Sequence, residues 1–524
     1  MSNRRRIRRA TATIAALSLA PCSALVFAWP AFADPSCTVT STADAGPGTL
    51  RQALLDLAAS AGASCSSITI AATGTVALQS GLPLITSTVT IIGPGRDALN
   101  LDGGDVRRIF AARLPANGTL TISRMAMSNG KGAPCVVCED GGGSSGGAIR
   151  ASSVDGTGSV TVSEITFAHN RSDDSGGAIW SGNIPLTISD STFTESYGEK
   201  SGGAVTAPSV VVANSTFTTN IAGDEGGAIK ATRLSAHGSV FKGNGAYYGG
   251  AIAFASTGEG GISSSTFEGN VSAEDLGDGG AAIVRMTGPE ESRFVDCQFN
   301  ANSGSGGGAI SARGSQGSPL KPTGSLVIYG STFRGNDASA DGGAVDAAHL
   351  ASVVITNSTF TGNSAQYNGG AVYANKVDGV SVRFVTITGN ATDRSKAGGG
   401  LWTSAGDFAL VNSIVWGNTT NSPFTKPNDL RDSSRRTTLS NDVFTSRSTV
   451  VAPSSSRGTG LIYDRSPRLG PLTDNGGPST TMLPSRNSPA LNAGKRISNM
   501  PANDQRGLPR ARGPRPDIGA VEVR

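Results

Sequence analysis

The chain has 524 residues, of which 71 are glycine and only 5% aromatic. That composition excludes an ordinary globular core rich in large side chains, and the glycines lack the three-residue period of collagen. The formal charge of +4 depends on five arginines in residues 1–33; the remainder carries −1, which gives no ground for nucleic-acid binding.

Residues 1–33 read as a Sec-type signal peptide. Arg4, Arg5, Arg6, Arg8 and Arg9 form a basic start, an apolar stretch runs from Ala10 to Ala28, and Ala31-Phe32-Ala33 is an A-x-A site with cleavage after Ala33. A twin-arginine reading lacks its following pattern, and Pro21 argues against a lipoprotein signal at Cys22. No later segment is long and apolar enough to span a membrane as a helix. The expected location is secreted or cell-surface, with no transmembrane segment in the mature chain.

Export permits disulfides. Cys37 and Cys65 form a plausible bridge pinning an N-terminal cap, and Cys135 and Cys138 a local loop bridge. A redox C-x-x-C would need a βαβ setting that is absent here, and zinc would need two further ligands. Gly46-Pro47-Gly48 breaks the chain before an amphipathic helix over 49–59, with Leu50, Ala53, Leu54 and Leu57 on one face. Strand-like runs at 68–70, 89–92 and 120–122 begin the coils.

A degenerate Gly-Gly-Ala-Ile/Val element then recurs. Its second glycine falls at 147, 177, 203, 227, 250, 280, 308, 343, 370 and 399, at spacings of 23 to 35 residues. A fixed motif at variable period predicts an all-β, right-handed parallel β-helix of three-strand coils, pectin-lyase-like, with an N-terminal capping helix. The sixth copy carries an extra alanine (Ala281-Ala282), and the last reads Gly400-Leu401. Upstream of most copies comes a β-branched run and a turn residue (Asp190, Asn214, Gly238, Asp296, Gly330, Asn357 or Asn412). Then follows Ser-Thr-Phe with an asparagine three residues after the aromatic, as in Phe217 and Asn220. The phenylalanines and asparagines are expected to form internal stacks at the ~4.8 Å coil spacing. Cys297 takes the inward serine position, so a buried free thiol is expected.

Alternation orients the motif strand. The Ile or Val points inward, as does the alanine two residues later (Ala151, Ala207, Ala231, Ala312, Ala347, Ala374). The intervening residue faces out: Arg150, Trp180, Thr206, Lys230, Ala253, Val284, Ser311, Asp346, Tyr373 and Trp402. The expected domains are signal peptide 1–33, cap and first coils 34–130, repeat β-helix 131–418, and an irregular C-terminal cap 419–524.

Gly48-Thr49-Leu50-Arg51-Gln52-Ala53-Leu54 resembles the SLREAI/SLRQAI start of many secreted pectate-lyase-like β-helix proteins. The repeats resemble those of chlamydial polymorphic outer-membrane proteins. Asn412-Ser413-Ile414-Val415-Trp416-Gly417-Asn418, Asp474 to Pro478, Ser488 to Gly494, Asp504 to Gly507 and Asp517 to Ala520 resemble a choice-of-anchor Q module. The resemblance implies fold and export, and says little about activity. Polymorphic outer-membrane proteins end in an autotransporter barrel. Here segment 419–524 is too irregular for one, so no covalent surface anchor is expected.

Three features could carry chemistry. Acidic residues precede the glycines: Asp173, Asp174, Asp224, Glu225, Asp278 and Asp341. Stacked on one edge they could hold Ca²⁺, with Asp173, Asp174, Asp224 and Glu225 as metal candidates, or they are solvated loop acids. Asp224, Glu225 and Lys230 are the candidate catalytic set for a polysaccharide lyase or glycoside hydrolase. The outward residues Arg150, Trp180, Lys230, Asp346, Tyr373 and Trp402 are the candidate ligand-binding set. Threonines flanking the aromatic column, as at 216 and 218, are interrupted by Lys242, Glu268 and Arg334, against an ice-binding array. The favoured reading is an adhesin-like, monomeric β-helix that needs no cofactor and binds a polysaccharide or cell-surface ligand. An enzyme on an extracellular polysaccharide and a purely structural surface protein are the alternatives.

Overall fold

The computed structural model describes residues 36–523, apart from 63, 133–142, 274–276, 316–321, 395–396, 421–425, 454–455 and 511. The signal peptide and the Cys135/Cys138 bridge therefore lie outside the described residues. The architecture is the expected right-handed parallel β-helix. One coil shows the plan: a long strand Ile229–His237, a short strand Val240–Lys242, then the two-residue strand Gly245–Ala246. Each pairs in parallel with its counterparts in the coils before and after.

The turn residues inferred from sequence all adopt the left-handed backbone: φ is +49° at Asp190, +48° at Asn214, +56° at Asp296, +50° at Asn357 and +53° at Asn412, with Gly238 and Gly330 alike. Short polar side chains and glycine pay least for that conformation. Ser264 and Phe384 take the same corner without advertising it in sequence.

The two motif glycines serve different needs. Gly226 sits at φ +68°, where a side chain is strained. Gly227 lies where a β-carbon would stand 2.1 Å from the Gly250 carbonyl oxygen of the next coil. The second glycine is thus required by coil-to-coil approach.

Inside, Phe167, Phe193, Phe217, Phe241, Phe267, Phe299, Phe333 and Phe360 stack face to face, with centroids 4.5–5.0 Å apart. Beside them runs an asparagine ladder. Asn244 Nδ2 donates to Asn270 Oδ1 at 2.9 Å and to the Phe217 carbonyl at 3.0 Å, and its backbone N–H donates to the same Oδ1. The pattern repeats to Asn418, whose amide donates to Asp429 Oδ1 at 3.1 Å. A serine ladder runs in parallel, as where the Ser215 N–H donates to Ser239 Oγ, and ends where the Ser413 N–H donates to Asp442 Oδ1 at 2.8 Å. Both ladders send donors toward the C-terminus, so each ends on a buried group that only needs to accept. Burial raises the pKa of both aspartates. Cys297 is the free, buried cysteine expected from its place in the serine column; burial pushes its thiol up to about 12.

At the N-terminal end the helix Leu50–Ala59 closes the core, with Leu50, Ala53, Leu54 and Leu57 buried. The Thr49 side chain accepts from the Gln52 N–H and caps the helix. Cys37 and Cys65 are bonded, tying strand Ser36–Val39 to the turn before Ser67–Ile70. At the other end coils continue through Ile462–Tyr463, inside the segment set apart at 419. From about 466 the chain folds back along the outer side of earlier coils. Gln505 Oε1 accepts from Thr359 Oγ1 at 2.6 Å, and Asn357 bonds both the Asn503 carbonyl and Arg510. Arg510 is fully buried beneath the Phe384 ring, 4.3 Å from its centroid.

Gly227→Ala is expected to cost more than about 3 kcal/mol, since the clash is with backbone in both coils. Gly335→Asn, at φ +60° with nothing within 4 Å of the added β-carbon, is expected to cost under about 1 kcal/mol. Denaturant unfolding of both variants checks this.

Candidate functional site

The outward column of the motif strand is continuous in register: Arg150, Trp180, Thr206, Lys230, Ala253, then Ile283, Ser311, Asp346, Tyr373, Trp402 and Arg431. The sequence reading is corrected at one rung. Ala282, not Ile283, takes the inward Ile position, so Ile283 faces out and Val284 points in. Val284 pairs with Phe254 in the adjoining inward column, and both are buried.

The expected exposure fails over the middle rungs. Ala253, Ile283, Ser311 and Asp346 are buried, Asp346 at 3%. The cause is two arginines two residues further along, Arg285 and Arg313, whose side chains lie over these rungs. Arg285 pairs with Glu225 and covers the Tyr248 ring, 4.7 Å from its centroid. Arg313 clasps Asp346 through two bonds, at 2.7 and 2.5 Å, and reaches Asp278 at 3.2 Å. Asp346 is therefore not the exposed ligand-binding residue expected. A β-carbon on Gly306 would stand 2.5 Å from Asp278 Oδ1 and 2.7 Å from Asp346 Oδ2, so glycine makes room for this cluster.

The loop edge beside the column follows its own register, set by hydrogen bonds into the motif glycines of the preceding coil. Successive coils place Glu225, Tyr248, Asp278, Gly306, Asp341 and Asn368 there. Carboxylates occupy alternate coils, which holds like charges about 10 Å apart. The sequence expectation of acids stacked on neighbouring coils is corrected at the adjoining position. There the backbone bonds run Asp174, Lys200, Asp224, so a lysine separates the two aspartates. Asp173 lies 3.6 Å from Lys131 and Asp174 3.3 Å from Lys200. Glu225 is held between Lys230 and Arg285. Among the described residues no three His, Cys, Asp or Glu side chains gather as a metal site.

The remaining outward residues form two separate pairs. Arg150 lies over Trp180 at 4.8 Å, and Tyr373 stacks on Trp402 at 4.6 Å. Eight coil spacings, about 38 Å, part Trp180 from Trp402. The Tyr373–Trp402 pair instead adjoins the Arg313 cluster, and Arg394 covers Tyr367 nearby at 3.9 Å. Burial dominates the electrostatics. It lowers Lys230 and Arg285, raises Asp341 and Tyr373, and lifts Asp346 to about 6 despite Arg313. Sequence reasoning found Glu225, Lys230, Tyr373 and Trp402 but missed Arg285 and Arg313, whose signal is a basic residue three places past the motif's end in two consecutive coils.

Residues 164–182 and 357–375 match the Chlamydia polymorphic membrane protein repeat. No curated protein matches the chain. Among solved structures, tailspike protein 3 of bacteriophage CBA120 aligns at TM-score 0.34 and 11% identity, covering 80% of this chain and 59% of that one. The catalytic domain of a GH87 α-1,3-glucanase in complex with tetrasaccharides aligns at TM-score 0.37 and 13% identity, covering 64% and 66%. The chain thus spans less than two thirds of either structure.

Asp346 supplies a pH test. Its folded pKa of about 6 exceeds the unfolded value of about 3.9, so the native state holds the extra proton between them. This contribution to stability is present below about pH 4 and is lost as the pH rises through about 6. The Tm difference between wild type and Asp346→Asn is expected to shift against wild type across that window and to level off above about pH 7. Thermal unfolding at several pH values reads it. The chain is a parallel β-helix in which two segments, 164–182 and 357–375, match the Chlamydia polymorphic membrane protein repeat.

Proposed function

We propose that the chain is an extracellular or cell-surface β-helix protein that binds a polysaccharide, in the manner of an adhesin, along the lateral lane from Glu225 to Trp402. The carrying observation is the lane itself. Over seven coils, about 29 Å, carboxylates and cations alternate with Tyr248, Tyr373 and Trp402 on a rigid ladder. Side chains already fixed by ion pairs and ring stacking lose little entropy on binding, and aromatic and arginine anchors carry most recognition energy. The A-x-A site, the Cys37–Cys65 bridge and the matched polymorphic membrane protein repeat support an extracellular setting.

The arrangement favours binding over turnover. A lyase base must be free to take a proton, whereas both Glu225 carboxylate oxygens are engaged, one by Lys230 and the other by Arg285. Asp346 is buried, with both oxygens engaged by Arg313.

Affinity electrophoresis of the mature protein against neutral and uronate polysaccharides tests the reading. Saturable binding to at least one is expected, weakened about tenfold or more by Tyr373→Ala with Trp402→Ala at unchanged Tm. Reducing-end and unsaturated-product assays should stay flat. Turnover that vanishes in Asp224→Asn with Glu225→Gln would contradict it.

A further inference from the structure

The chain is charge-polarised. Residues 34–418 carry 22 Lys and Arg against 31 Asp and Glu, whereas residues 419–524 carry 16 against 8. Burial sharpens the contrast. Of those eight acids, Asp429, Asp432, Asp442, Asp504, Asp517 and Glu522 are buried, leaving Asp464 and Asp474 at the surface. Among the described basic residues of the segment, only Arg510 is buried.

The exposed cations are gathered by the folding of the tail. The Ser485 N–H donates to the Arg468 carbonyl, and the Gly494 N–H to the Pro516 carbonyl, which brings the backbone at Arg468 close to that at Arg486 and the backbone at Lys495 close to that at Arg515. Arg496 donates to the Gly513 carbonyl, next to Arg512. Arg486, Arg506 and Arg512 line one cleft of about 250 Å³ floored by Leu483, Leu508 and Val523. Arg506 is neutralised there by Asp504 at 2.8 Å. Glu522 also lines the cleft, its carboxylate accepting from the Asp517 N–H. The Arg512 N–H donates to the Glu522 carboxylate, but the guanidinium groups of Arg486 and Arg512 form no ion pair among the described residues and stand exposed at its rim.

We propose that the C-terminal segment, residues 465–523, is a second binding site that takes an anionic polysaccharide, its sulfate or carboxylate groups held by the cluster around Arg486, Arg512 and Arg515. Guanidinium groups match planar or tetrahedral oxyanions through paired N–H donors. Residues 465–524 contain no Phe, Tyr, Trp or His, so neither bases nor sugar faces find a stacking surface there. The segment has no described helix to enter a DNA groove. It also has no exposed large apolar side chain among the described residues to enter a bilayer, which interfacial attachment needs. What remains is repeated oxyanion charge on a polymer. This site is independent of the Glu225–Trp402 lane.

Fluorescein-labelled dextran sulfate, titrated with the mature full-length protein and read by anisotropy over a range of salt, tests it. Binding should weaken steeply with salt. Arg486→Gln with Arg512→Gln and Arg515→Gln should lower affinity at least tenfold and flatten the log–log salt slope by about two, at unchanged Tm. Tyr373→Ala with Trp402→Ala should leave it unchanged, so failure of the lane reading and of this one are distinguishable. Absence of binding, or affinity unaltered in the triple variant, overturns the proposal. So does tighter binding to duplex DNA or to phosphatidylglycerol vesicles than to dextran sulfate.

Discussion

Everything in this molecule hangs on how closely one coil lies on the next at the second motif glycine. A carbonyl of the following coil stands where a β-carbon would be, as Gly250 does for Gly227. That approach fixes the register of the motif strand, and register then decides which side chains meet. With coils held in step, identical residues fall on identical rungs, and weak contacts between like groups add along the axis. The phenylalanine stack and the asparagine and serine ladders follow from that repetition.

A ladder of donors cannot end on another donor. The asparagine column closes on Asp429 and the serine column on Asp442, both buried and both accepting. The same logic governs the outside. On the lane, carboxylates at Glu225, Asp278 and Asp341 keep to alternate coils, while Arg285 and Arg313 span between them. A solenoid that stacked like charges at ~4.8 Å would repel itself. Compensation across coils lets polar side chains line up without that cost, and it leaves the lane rigid.

Much of this was legible in the residues. The motif and its spacing specify a parallel β-helix, because strands must match while loops need not. Alternation correctly places Ala231, Ala347 and Ala374 inside, and turn chemistry marks Asp190, Asn214 and Asn357 as left-handed corners. Three things were hidden. The extra alanine at 281–282 leaves two registers open, and only the paired strands show that Ala282 aligns with Ile252 and Val284 with Phe254. Alternation says that Asp346 points outward but not that Arg313 covers it, because long side chains reach across coils. The tail's path over Thr359 and Asn357 depends on contacts about 150 residues apart, such as Gln505 with Thr359 and Arg510 with Asn357, which no local pattern carries.

The lateral lane and the basic tail divide the surface between two chemistries on one rod. A polysaccharide bound along the lane would cover its outward rings, whatever the tail binds. Hydroxyl-radical footprinting with and without the bound polysaccharide tests it most directly. Protection of Tyr248, Tyr373 and Trp402 is expected, with Tyr197 and Trp416 unchanged. Protection confined to Tyr197 or Trp416, or none at the lane under saturating ligand, would contradict it.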